Sequence, residues 1–303
     1  MITGTIWPRE KASGIEIFRN VSILQFWWRR ERRTCDSVPV RIDYFGEDVA
    51  ATYDNDDGDV FASDVVGAAA DFLAGLAAEG APAEDGRDQP SALEFGVGTG
   101  RIALPLSERG VLVHGIDLSE AMVARLRAKP GADRVGVTVG DFATATAGRT
   151  FRLVYLVYNT IGNLTSQDDQ VECFRNAAAH LEPGGHFVIE VGVPDLRRLP
   201  PGQTVVPFTV RPGRLGFDEY DVVNQGMVSH HYWETNGRWE SMSMPFRYVW
   251  PAELDLMARL AGMRLRDRWA DWNREPFTAE STKHISVWRK QGQGAVRRAA
   301  VGC

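Results

Sequence analysis

Leu93-Glu94-Phe95-Gly96-Val97-Gly98-Thr99-Gly100 decides how this chain is read. It has the pattern of a buried strand that ends in an acid and breaks into a glycine-rich turn, with a helix starting behind it. Each glycine lets backbone approach a ligand where a side chain would stand in the way. A dinucleotide fingerprint, Gly-x-Gly-x-x-Gly, needs its third glycine for close helix–strand packing. Here Arg101 holds that position, and a glycine falls one residue early at Gly100. The Glu94 carboxylate repels a buried phosphate and attracts a ligand with an amino group and positive charge.

Two further runs repeat the pattern. Val111-Leu112-Val113-His114-Gly115-Ile116-Asp117 closes on an acid 17 residues after Gly100. An acid about 20 residues past the glycines meets ribose hydroxyls in a nucleotide-binding βαβ unit. Ser119 reads as the N-cap of the next helix, whose first turn, with Leu118 and Met122, lies just past Asp117. The third run, Val135 to Val139, leads into Gly140-Asp141-Phe142. There Asp141 suits the exocyclic amine of an adenine and Phe142 its ring face. Three strands ending in acids put the ligand at the carboxyl edge of an open α/β sheet.

Outward from this centre, strands at 91–96, 111–116, 135–139, 152–158 and 186–193 alternate with helices at 101–109, 119–129 and 168–182. A helical pattern over 60–78 precedes them. A helix at 252–261 and strands at 265–269 and 284–289 follow. Gly184-Gly185 reads as the turn into the fifth strand. Pro194 to Trp250 breaks the alternation and reads as an antiparallel insert. Within it, Asn236-Gly237 is a strong two-residue hairpin signal. Pairing outward puts Thr235 opposite Arg238, Tyr232 opposite Ser241 and His231 opposite Met242. Alternation then groups Met227, Ser229, His231 and Trp233 on one face, and Val228, His230, Tyr232 and Glu234 on the other.

These elements resemble the class I S-adenosylmethionine-dependent methyltransferases, over roughly Tyr44 to Arg289. The resemblance rests on the Glu94–Gly100 loop, Asp117, Gly140-Asp141-Phe142, the strand Leu153 to Asn159 and the turn Leu181-Glu182-Pro183-Gly184-Gly185. S-adenosylmethionine, a sulfonium with an ammonium and no phosphate, is also the kind of ligand that Glu94 favours. The resemblance implies a Rossmann-like α/β fold: a seven-stranded, mostly parallel sheet with helices on both faces and an antiparallel β lid inserted after the fifth strand. It divides the chain into an N-terminal extension at 1–38, a cofactor-binding core at 39–193, a substrate lid at 194–250, a completion of the core at 251–290 and a disordered tail at 291–303.

The resemblance also assigns roles. Tyr53, with Tyr44 behind it, is the aromatic that covers cofactor or acceptor. Tyr158, Asn159 and Asn163 lie under the methyl group and the acceptor. The stretch lacks the Pro-Pro element common in nucleic-acid and protein amino-methyltransferases. It is closer to the small-molecule branch, which includes amino-sugar N-methyltransferases and glycine N-methyltransferase. Some amino-sugar enzymes carry a histidine where this chain has Asn163, which can orient an acceptor but takes no proton. Arg101, at a helix N-terminus, suits the methionine carboxylate. The insert supplies His230, Tyr232, Arg247 and Trp250 as acceptor contacts, with Arg247 fitted to a carboxylate. His231 is the preferred base, because its face carries Met227 and Trp233 and imidazole titrates near neutrality.

Composition sets limits on partners. The net charge of −6 over 303 residues disfavours a nucleic-acid backbone. Cys35, Cys173 and Cys303 lie far apart, which implies a reducing compartment, no disulfide framework and no metal site. No run of 18 apolar residues suggests a membrane span, and the N-terminus does not read as a signal peptide. Ile17, Phe18, Val21, Leu24, Trp27 and Trp28 mark one helical face before Arg29-Arg30-Glu31-Arg32-Arg33. A dispensable extension is the preferred reading, with an amphipathic helix for a partner or anionic surface as its alternative. The expectation is a cytoplasmic enzyme that methylates N or O of a small molecule, with a homodimer left open. A nucleic-acid or protein methyltransferase, and an inactive cofactor-binding regulator, are the alternatives.

Overall fold

Apolar runs too short for helices become strands that are buried on both faces. β1 (Ser91–Phe95) and β4 (Phe151–Leu156) are buried at every position, as inner strands of a parallel sheet must be. With β2 (Leu112–Asp117), β3 (Val135–Val139), β5 (Leu181–Gly192), β10 (Met263–Trp269) and β11 (Lys283–Lys290) they form one seven-stranded sheet. Its order is β10-β11-β5-β4-β1-β2-β3. The β3 to β5 half is parallel, and β11 runs antiparallel to both β5 and β10. The computed structural model describes residues 42–55, 61–79 and 89–292. The expectations for the extension at 1–38 and for the tail past Gly292 lie outside these described residues.

Helices cover both faces. α1 (Glu47–Thr52), α2 (Ser63–Ala78), α3 (Ala103–Glu108) and α4 (Glu120–Arg127) precede α5 (Gln167–His180) and α6 (Pro251–Leu260). One core, against α5 and α6, is built on Phe174, Phe187 and Trp288, with the Phe174 ring 5.1 Å from Phe187 and 5.4 Å from Trp288. The other, against α2 and α3, holds Leu73, Leu106, Tyr155 and Ile285. Among the described residues no helix is long and apolar enough to cross a membrane.

The insert is a four-stranded antiparallel sheet of β6 (Val205–Arg211), β7 (Arg214–Asp221), β8 (Gly226–Thr235) and β9 (Arg238–Arg247), in that order. The hairpin register is as expected, with Thr235 opposite Arg238, Tyr232 opposite Ser241 and His231 opposite Met242. Asn236 and Gly237 take φ of 53° and 76°, the mirror-image turn that suits the twist of two adjoining strands. One expectation needs correction. Gly184-Gly185 is not a turn outside the fifth strand but a bulge within it. The chain runs from Leu181 to His186 on β5 while β4 advances only from Phe151 to Leu153.

Candidate active site

Three acids stand at the carboxyl edge of β1, β2 and β3. Glu94 is buried beneath the glycine loop, and the Tyr155 hydroxyl donates to it at 2.8 Å. Asp117 accepts from the Gly98 N–H at 2.6 Å and from the Ser119 N–H at 2.9 Å. Asp141 accepts from the Ala143 N–H at 2.9 Å. The loop between them has room only for glycine at its first turn. Gly96 has φ of 70°, and a Cβ there would fall 2.6 Å from Thr160 Cγ2. Ser119 caps α4 as expected, accepting from the Met122 N–H at 3.3 Å. Met122 is buried, with its Cε lying where a side chain at Gly98 would crowd it.

The lead-in segment folds over this edge. Ser119 donates to the Phe45 carbonyl at 2.7 Å, which draws Tyr44 and its neighbours across the start of α4. Thr99 donates to Asp54 at 2.6 Å, and Lys129 pairs with the same carboxylate at 2.8 Å. Tyr53 is therefore fixed beside the loop, in a series of edge-to-face rings with Phe45, Phe61 and Tyr158. Arg101 lies 5.4 Å from the centre of both the Phe61 and the Tyr158 ring. Burial, with the nearby acids, pushes the Tyr53 hydroxyl up to about 12. It therefore stays protonated and can donate but not accept a proton at neutral pH.

Burial also pushes the Glu94 carboxyl from 4.5 up to about 8, against the pull of the Tyr155 hydroxyl and Arg101, with Asp117 adding to the rise. Burial likewise raises Asp117, opposed by the N–H groups of Ser119 and Gly98. For an acid raised in the fold, stability is full below the unfolded value and is lost as pH climbs towards about 8. A ligand ammonium needs the ionised acid. The affinity for S-adenosylhomocysteine is thus expected to rise between pH 6 and 8, by up to about tenfold per pH unit, with proton release. Calorimetry in buffers of different ionisation heat measures both. A flat affinity in the wild type, equal to that of Glu94→Gln, would contradict the role given to Glu94.

The end of β4 carries backbone strain. Tyr158 and Asn159 take φ of 55° and 60° in succession, a left-handed pair without glycine. The fifth strand holds them. Glu190 accepts from the Tyr158 N–H at 3.2 Å, its carbonyl accepts from the Asn159 N–H at 3.2 Å, and Asn159 Oδ1 accepts from the Gly192 N–H at 2.6 Å. Lys283 of β11 pairs with Glu190 at 3.1 Å. The 3-10 turn Thr160–Asn163 follows, and a Cβ at Gly162 would stand 3.5 Å from the Phe246 ring of β9. Sequence reasoning overlooked Glu190. Its signal was an acid inside the apolar run Phe187-Val188-Ile189-Glu190-Val191.

The insert's two faces differ. The face of Phe246 carries Met227, Ser229 and His231 from β8, with Asp218 and Tyr220 opposite them on β7 and Met244 on β9. Its buried members are Val206, Tyr220, Ser229 and Met244. His230 and Tyr232 belong to the opposite face. There His230 bonds Ser243 at 2.8 Å, lies 3.5 Å from Glu219 and rests beside Phe217, which also stacks on Tyr232. As alternation led one to expect, they do not share a wall with His231.

Two further assignments change. Arg247 is buried, and its guanidinium bonds Gln170 at 2.5 Å and Glu253 at 2.7 Å. It ties the insert to α5 and α6 rather than waiting for an acceptor carboxylate. Phe142 is 8% exposed and stacks on Phe95 at 5.9 Å, so its ring serves the core, not an adenine. Trp250 sits at the base of the insert, just before α6, edge-on to Tyr248.

The donor set suits the expected cofactor. Three acids, one of them sealed under the loop, stand at the edge with Arg101, a pattern for an amine-bearing cation rather than a phosphate. Among the described residues no cluster of His, Cys, Asp and Glu is arranged to hold a metal.

Known proteins resemble this chain. The methyltransferase domain family matches residues 92–185. The CcbJ methyltransferase from Streptomyces caelestis is 36% identical with a TM-score of 0.71, the match covering 82% of this chain and 98% of that one. The cypemycin N-terminal methyltransferase of a Streptomyces species is 28% identical over 219 residues, which is 68% of this chain and 84% of the relative. An amino pentose methyltransferase from Micromonospora echinaspora, solved with S-adenosylmethionine bound, shares the fold. It is 22% identical with a TM-score of 0.59, over 80% of this chain and 95% of that one.

Proposed function

Because the chain belongs to the class I S-adenosylmethionine-dependent methyltransferases, we propose that it methylates an amine nitrogen of a small molecule held between the sheet edge and the insert. When bound, S-adenosylmethionine supplies an electrophilic methyl group. The protein's own tasks are to hold the acceptor, to exclude water and to take a proton from a charged amine.

In this reading Glu94, the loop of Gly96, Gly98 and Gly100, Arg101, Asp117, Leu118, Met122 and Asp141 hold the cofactor. Tyr53, Tyr158, Asn159 and Asn163 line the transfer point, with Tyr44 at its rim. His231 takes the proton. The observation that carries the reading is the insert's Phe246 face, which is rich in methionine and aromatic side chains, meets the turn after β4 at Gly162 and bears His231. Such a wall suits an acceptor with an apolar body and one amine. The relative named for an N-terminal methylation supports nitrogen over oxygen. It also favours a second reading, the free terminal amine of a peptide. The net charge of −6 argues against a nucleic acid, and the scattered cysteines support a cytoplasmic placement.

Labelled methyl transfer tests the proposal. The full chain is given S-adenosylmethionine carrying a labelled methyl group, with amino sugars, peptides bearing a free N-terminus, phenols and transfer RNA offered in parallel. Label on amines is the expected result. Label confined to phenol oxygens or to RNA would overturn it.

A further inference from the structure

Three polar side chains within the Phe246 face, on β7 and β8, stand next to one another. Asp218 on β7 stands directly opposite Ser229 on β8, whose hydroxyl acts to lower the Asp218 carboxyl. Ser229 Oγ lies 3.1 Å from His231 Nε2. Ser229 is buried. The imidazole rests 5.2 Å from the Phe208 ring, and Phe208 lies where a Cβ at Gly216, the residue opposite His231, would come within 2.3 Å of it. Glycine at 216 is therefore what lets a phenyl ring lie against the histidine.

The geometry points to Asp218 as a positioning residue: through Ser229 it orients His231 and stabilises its protonated form during methyl transfer. The inference rests on the proposed role of His231 and adds a residue that this role does not need by itself. The hydrogen-bond directions follow from charge. A carboxylate only accepts, so Ser229 donates to Asp218 and is left to accept from His231 Nε2–H. That order selects the Nε2–H tautomer and puts the lone pair that receives the acceptor's proton on Nδ1. After transfer both ring nitrogens carry hydrogen, and the Asp218 charge offsets the imidazolium through Ser229.

Burial raises the Asp218 carboxyl, while Ser229 and the two histidines pull it down. The carboxylate is thus held in a low-dielectric setting where its effect on a neighbouring cation is large. The other charged residues in register on this face are Arg211 of β6, Arg214 of β7, and Arg238 and Glu240 of β9, and Glu240 accepts from Trp233 Nε1 at 3.0 Å.

Histidine-selective nitrogen labelling of the full chain tests this without an acceptor. His231 signals are assigned by their loss in His231→Gln. The expected wild-type result is the Nε2–H tautomer. In Asp218→Asn and in Ser229→Ala, the His231 titration midpoint is expected to fall by about one pH unit. An Nδ1–H tautomer, or a midpoint that does not move, would overturn the inference.

Turnover separates it from the reading beneath it. On an amine that accepts label, Asp218→Asn is expected to lower kcat about tenfold and to leave KM and S-adenosylhomocysteine affinity in place. If His231→Gln loses turnover while Asp218→Asn keeps it, only the role of Asp218 fails. If His231→Gln keeps full turnover, the histidine base fails as well. A variant that loses melting temperature while kcat and tautomer are unchanged marks Asp218 as structural, which also overturns the inference.

Discussion

Replacing Asp117 with alanine is expected to weaken S-adenosylhomocysteine binding by roughly a hundredfold or more. Hydrogen bonds to a charged group contribute about 1.5–3 kcal/mol each, and a carboxylate at the end of β2 can offer two to a ribose diol. The same side chain holds the Gly98 and Ser119 N–H groups at 2.6 and 2.9 Å, so its removal also loosens the loop and the cap of α4. Asp117→Asn separates these effects, since it keeps one acceptor and loses the charge. Its affinity should fall between wild type and alanine. Calorimetric titration of all three proteins, with melting curves to confirm folding, gives the answer. Wild-type affinity in a folded Asp117→Ala protein would remove Asp117 from the cofactor site.

Arg247→Ala is expected to have the largest effect on stability. Arg247 and Glu253 side chains are 5% and 15% exposed, and they meet at 2.7 Å. Breaking a buried pair by deleting one member costs about 3–5 kcal/mol, because the other charge stays behind without its partner. At roughly 2–4 °C per kcal/mol, the melting temperature should fall by about 10 °C.

The acid side follows from Glu253. Burial pushes its carboxyl up, but bonds from Arg247, Gln225 and Gln167 outweigh burial and hold it below 4.5. An acid lowered in the fold stabilises it above the unfolded value and loses that contribution as pH falls through the lower, folded value. The wild type should therefore lose this anchor only below about pH 4.5, whereas Arg247→Ala should show its deficit at neutral pH and narrow it on acidification. The double variant with Glu253→Ala should be less damaged than the two single losses added together. An unchanged melting temperature with a raised KM for the acceptor would restore Arg247 to substrate binding.

The parts of the fold that could be read in the sequence are those set by local pattern. The Gly96–Gly100 loop, the acid at the end of β2, the Ser119 cap and the Asn236-Gly237 hairpin each depend on residues within a few positions of one another. They occur in the structure as read. The opposed faces of β8 follow from strict alternation, which is why His230 and His231 were separable in advance.

What escaped depends on distant partners. Arg247 meets Gln170 across 77 residues of sequence, and no local signal distinguishes that buried arginine from a binding one. Asp218 gains its place only when β7 pairs with β8, and Glu190 only when β5 lies between the end of β4 and Lys283. Phe142 reads correctly as an aromatic beside an acid, but its direction is set by Phe95 below it.

The strained pair Tyr158–Asn159 is held from β5, which is braced in turn by β11, whereas the three acids stand at or just past the ends of β1, β2 and β3. The sheet thus splits into two workshops that meet at the β1–β4 seam, with the Tyr158 ring reaching across to Arg101 and Phe61. One half can keep its cofactor chemistry constant while the other, with the insert that grows from it, changes its acceptor. Exchanging the β4–β5 side and its insert with a relative's is then expected to move acceptor choice while S-adenosylhomocysteine affinity stays in place.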